Sequence, residues 1–139
     1  MIFTCINNDQ ALAPDVRENH TPHPRYVDNS ITVGRNYPIY ATAIFFDDLT
    51  YLIQNDFGDA RWEAPYFFQE LDGRLPPYWE FRAFSDDGLT GPVRRRFQAI
   101  WGYPELVRHP AHNDGLQDNR GEDVDLFAQE VLRRAALKL

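Results

Sequence analysis

Between Ile31 and Phe84 the chain strings together short aromatic and β-branched runs, ITVGRNYPIYATAIFF, LTYLIQ, APYFFQEL and YWEFRAF, parted by acidic or Gly/Pro turn signals. Runs of this length and composition favour extended backbone, and the punctuation comes too often for helices. In the first run Ile39, Ala41, Ala43 and Phe45 alternate with Tyr40, Ile44 and Phe46, which gives two half-covered faces. Asp47-Asp48 between two runs is a hairpin signal. Bent strands in this number protect their edges by closing on themselves. The expected fold is therefore α+β: a small antiparallel β-barrel or roll of four to six strands with a C-terminal α-helix packed on it.

At 139 residues the chain has the size of one domain. The reading is a single unit over 1–139, with a β-unit at about 31–84 and a helical C-terminal part at about 92–139. Ahead of the β-unit, Ile2 to Ile6 reads as a strand, and PDVRENHTPHPRYVDNS as a Pro-rich surface loop. After it, PVRRRFQAIWGYPELV reads as one or two helical turns and RHPAHNDGLQDNRG as a loop. The ending EDVDLFAQEVLRRAALKL places Val124, Phe127, Ala128, Val131 and Ala135 at helical spacing, with acids in the first turn and Arg133, Arg134 and Lys138 near the end. That stripe is expected to bury against the open face of the sheet.

Acids outnumber bases 21 to 14, a formal charge of −7. Such a field repels phosphate backbones and anionic lipid and attracts a basic protein. Direct nucleic-acid and membrane binding are therefore not expected. The first ten residues lack the basic start and apolar core of a secretory signal, no run is long enough to span a bilayer, and the lone Cys5 can form no internal disulfide. Together these point to the cytoplasm.

Catalytic signatures are missing from the sequence. Ser30 and Ser85 lie outside any nucleophile elbow, and no glycine set forms a phosphate loop. His20-x-x-His23 and His109-x-x-His112 have spacing compatible with metal ligation, but both fall in Pro-rich loops, where surface histidines are the plainer reading. No cofactor is expected. Arg94-Arg95-Arg96 reads as the solvated side of a short helix.

In an up-and-down meander, alternate turns share one end of the sheet, which would gather Asp56, Asp59, Asp86 and Asp87. Tyr51, Trp62, Tyr66 and Tyr78 are aromatic side chains of the kind that anchor interfaces. These eight residues form the candidate partner-binding set.

The stretch VGRNYPIYATAIFFDDLTYLIQND, continued by APYFFQELDGRLPPYW, resembles a pattern in small uncharacterised bacterial proteins, some found beside secreted toxins. In those, G-x-x-Y-x-V-Y opens an SH3-like β-unit and an acidic helical tail follows; Pro38 and Ile39 depart from that motif here. The resemblance implies an immunity protein that binds a toxin domain and blocks its active site. Two other readings stand beside it, a small metal- or carboxylate-dependent enzyme using the loop histidines and a structural accessory subunit.

Overall fold

A computed structural model of the chain describes residues 1–9, 27–45, 47–84 and 97–137. Two antiparallel sheets form. β1 (Ile2–Cys5), β2 (Asn36–Pro38) and β6 (Phe68–Asp72) make a three-stranded sheet in the order β2-β1-β6. β3 (Ala41–Phe45), β4 (Asp48–Gln54), β5 (Ala60–Glu63), β7 (Glu80–Ala83) and β8 (Phe97–Gly102) make a five-stranded sheet in the order β5-β4-β3-β8-β7. Three helices close the chain, α1 (Pro104–Arg108), α2 (Ala111–Gln117) and α3 (Gly121–Ala136).

The Asp47-Asp48 hairpin forms as expected, pairing β3 with β4. Asp47 takes a left-handed φ of 67°, which an aspartate tolerates better than most non-glycine residues. Gln98 of β8 clamps the turn: its Oε1 accepts from the Asp47 N–H at 2.7 Å and its Nε2 donates to Asp47 Oδ1 at 2.8 Å.

The fold class holds as α+β, but the sheets do not close into a barrel. The break lies at the start of the run APYFFQEL. Pro65 has no N–H to donate to a ladder, so β5 stops at Glu63 and a 3-10 turn at Pro65–Phe67 redirects the chain. β6 then pairs with β1 in the other sheet, and closure is lost.

Two further expectations need correction. Residues 97–102 form the strand β8, the central partner of β3, where helical turns were expected. Gly102 permits the approach, since a Cβ there would lie 2.7 Å from that of Ala41. The expected loop after Arg108 contains α2, which turns His112, Asn113, Gly115 and Leu116 inward. Residues 10–26 and 85–96 fall outside the described residues, and with them the Pro-rich loop and Arg94-Arg95-Arg96.

The apolar interior is split in two by the five-stranded sheet. Tyr40, Ala41, Leu52 and Ile100 join Tyr103, Leu106, Leu116 and Phe127 beneath the helices. On the other side Ile39 and Ile53 join Phe3, Cys5, Tyr37, Phe67 and Phe68 against the three-stranded sheet. The neighbours Ile39 and Tyr40, like Leu52 and Ile53, point to opposite faces as extended backbone requires. Each fully buried aliphatic side chain contributes about 1.5–3 kcal/mol. Among the described residues no helix is long and apolar enough to cross a membrane.

Candidate interaction face

Most of the expected partner-binding set turns inward. Asp56 accepts from Thr32 Oγ1 at 2.5 Å, Tyr37 Oη at 2.7 Å and Arg35 Nη1 at 2.8 Å, tying the 32–37 segment to the β4–β5 turn. Burial acts to raise its pKa, but these donors outweigh it and hold the carboxyl below the usual carboxylate range. Tyr51 packs edge-on against Phe3 at 4.7 Å, and Tyr66 likewise against Phe67 at 4.7 Å. Trp62 donates its indole N–H to Asn113 Oδ1 at 2.7 Å, and Tyr78 donates to Glu130 Oε1 at 2.5 Å. Asp59 alone of the set is exposed with no side-chain partner among the described residues. Asp86 and Asp87 lie outside them.

The histidines divide as well. His109 is exposed at the end of α1, while His112 is buried, its Nδ1 at 2.7 Å from Asp123 Oδ1 and its Nε2 at 2.7 Å from Tyr103 Oη. The carboxylate can only accept, which assigns the proton to Nδ1 and leaves Nε2 to accept from the phenol. Both ring nitrogens are thereby occupied. Gly115 makes room for this chain, because a Cβ there would sit 1.7 Å from Asp123 Oδ2. Tyr103 is wholly enclosed, and burial pushes its phenol up. Among the described residues no three His, Cys, Asp or Glu side chains converge as metal ligands; His20 and His23 lie outside them.

A second buried acid site joins Asp28 to Glu63 of β5. Asp28 and Glu63 are both buried and share a hydrogen bond. Burial, followed by the bond to Asp28 and its charge, pushes Glu63 up to about 8, so the Glu63 carboxyl keeps its proton well above the usual carboxylate range. Asp28 Oδ1 also accepts from the Ser30 N–H at 2.9 Å and the Ser30 hydroxyl at 2.5 Å.

Helix α3 departs furthest from expectation. Its buried residues are Asp123, Phe127, Glu130 and Arg134, three of them charged. Polar bonds set this rotation: Asp123 to His112, Glu130 to Tyr78, and Arg134 Nη2 to the Met1 carbonyl at 2.6 Å. Glu130 and Arg134 are 1% and 2% exposed. Hydrogen bonds to charged groups are worth about 1.5–3 kcal/mol each.

The apolar flank is displaced toward solvent as a result. Val124 is 41% exposed and Leu132 71% exposed, with Ala128 and Ala135 open between them. At roughly 100° per residue these positions form one contiguous arc beside the buried face. A shallow groove of about 80 Å³ runs along this flank, with Gly58, Asp59 and Ala60 on one side and Leu116, Val124 and Ala128 on the other. Phe57, next to Gly58 in the β4–β5 turn, is 71% exposed. Glu122 and Asp125 on the first turns of α3 are exposed and, like Asp59, make no ion pair among the described residues; Asp118 meets Arg120 at 3.3 Å.

Sequence reasoning singled out Asp59 and did not anticipate the exposure of Phe57, the helix α2 or the outward flank. The available signal was the spacing of Asp123, Glu130 and Arg134, which fall on one helical face with Phe127 and compete with the apolar stripe. Comparisons with protein-family models, curated proteins and solved structures give no match to this chain.

Proposed function

We propose that this chain is a protein–protein interaction module that grips a basic protein partner, and more specifically an immunity-type inhibitor that occludes a basic bacterial toxin domain. The observation that carries the reading is the orientation of α3, which buries three charged side chains and leaves Val124, Leu132 and the alanines between them facing solvent. Exposed contiguous apolar surface rimmed by charge is characteristic of interfaces. The formal charge of −7 selects a basic partner and speeds encounter, while a few desolvated apolar anchors set the lifetime of the complex. The resemblance of residues 33–56 and 64–79 to toxin-associated proteins supplies the toxin domain as the partner class. An SH3-like roll remains part of this proposal as the family form of the two-sheet arrangement.

The test is affinity capture from source cells, identification of a stoichiometric partner by mass spectrometry, and reconstitution with the purified partner. The reading expects a basic domain whose own activity falls as the complex forms. A reconstituted partner that is acidic, or that remains fully active in the complex, would contradict it.

A further inference from the structure

We infer that the groove between the β4–β5 turn and α3 is a seat for one apolar side chain of a basic amphipathic helix, which lies along the outward flank of α3. This rests on the interaction reading above and specifies the form of the partner's contact segment. The size of the groove points to a side chain: about 80 Å³ is well under the roughly 300–1,000 Å³ of small-molecule sites. Its walls are low where Gly58 and Ala128 face it, so a branched apolar group can enter between them.

The shape of the flank points to a helix. Val124, Ala128 and Leu132 follow one another at four-residue spacing and form a straight ridge with the groove at one end and the exposed Leu132 at the other. A second helix packs on such a ridge with apolar residues at its own three- and four-residue spacing, as in helix-in-groove recognition. Charge then sets the polar side of the occupant. Asp59 lines the groove, and Glu122 and Asp125 are exposed on the first turns of α3; none of the three makes an ion pair among the described residues, while Arg120 faces Asp118. Lysine or arginine flanking the inserted side chain satisfies Asp59. A second copy of this chain would bring another −7 against them, which disfavours self-association through this face.

The probe is a fluorescently labelled peptide of about 18 residues with leucines at four-residue spacing and lysines on the flanking positions, beside a scrambled peptide of equal composition. The helical peptide is expected to bind at least about tenfold more tightly than the scrambled one and to gain helical circular dichroism on binding. Ala128→Trp, which fills the groove from an exposed helix position, and Val124→Arg, which places a like charge against the peptide, should each abolish that preference; both variants are first checked for an unchanged circular dichroism spectrum. Equal binding of the two peptides, binding without helix formation, or indifference to both substitutions overturns the inference. If a reconstituted basic partner also binds Ala128→Trp and Val124→Arg as tightly as the unaltered protein, the seat is wrong while the interaction reading stands. Loss of partner binding in both variants supports the seat.

Discussion

At the residue scale, the Asp28–Glu63 pair makes stability depend on pH in a definite direction. Glu63 titrates near its ordinary value of 4.5 when unfolded but at about 8 when folded, so the folded chain holds a proton that the unfolded chain has released. Its contribution is fully present below about pH 4.5, falls as pH rises toward about 8, and is flat beyond. Denaturant midpoints should therefore decline across that window, by up to about 1.4 kcal/mol per pH unit. Glu63→Gln keeps a donor for Asp28 but cannot ionise, and should flatten the decline. Identical pH profiles for the two proteins would refute the raised titration of Glu63. Gly115 offers a second check. Alanine would gain about 1 kcal/mol of helix propensity, but its Cβ would overlap the Asp123 carboxylate, and forced repacking costs about 1–3 kcal/mol. It would also break a buried bond worth about 1.5–3 kcal/mol. Urea titration of Gly115→Ala should show net destabilisation of about 1.5–5 kcal/mol. Neither arrangement was legible in the sequence, because Asp28 and Glu63 meet only once separate segments pack together, and Gly115 and Asp123 only once α2 and α3 fold against each other.

At the element scale, local pattern was informative where burial was apolar and silent where it was polar. The β3–β4 hairpin and the span of α3 followed from alternation and from charge placement at the helix ends. α2 was hidden because the residues it buries include His112, Asn113 and Gly115, none of which reads as a core position. β8 was hidden because FQAIWG is as short as a helical turn and follows a run of arginines, with no local feature naming β3 as its partner. Rotation of α3 was misjudged for a related reason: counting apolar residues ignores hydrogen bonds that only the tertiary partners Tyr78, His112 and Met1 supply. The two faces of α3 should respond oppositely to substitution. Phe127→Ala empties a core position packed against Tyr40 and should cost about 3–5 kcal/mol by thermal or chemical denaturation. Leu132→Asp on the outward flank should stay within about 0.5 kcal/mol of the unaltered protein. A large loss in Leu132→Asp would mean that the flank is buried in the folded molecule after all.

At the scale of the whole molecule, net charge and an open apolar flank act on different steps of association. The −7 field governs encounter, so the on-rate for a basic partner should fall steeply with added salt. Asp59→Lys combined with Asp125→Lys should lower the on-rate and its salt dependence while leaving the off-rate nearly unchanged. Val124 and Leu132 should govern dissociation, since desolvated anchors are felt mainly in the off-rate. Overall charge was legible from composition alone, but its local focus was not. Asp56 spends its charge on Arg35, Thr32 and Tyr37, whereas Asp59, three residues on in the same turn, is left facing solvent. The most direct test is the dissociation rate of the reconstituted partner complex, measured by surface plasmon resonance for the unaltered protein and for Leu132→Asp. If the outward flank of α3 is the grip, the variant folds normally and its complex dissociates at least about tenfold faster; an unchanged dissociation rate in a normally folded variant would contradict that claim.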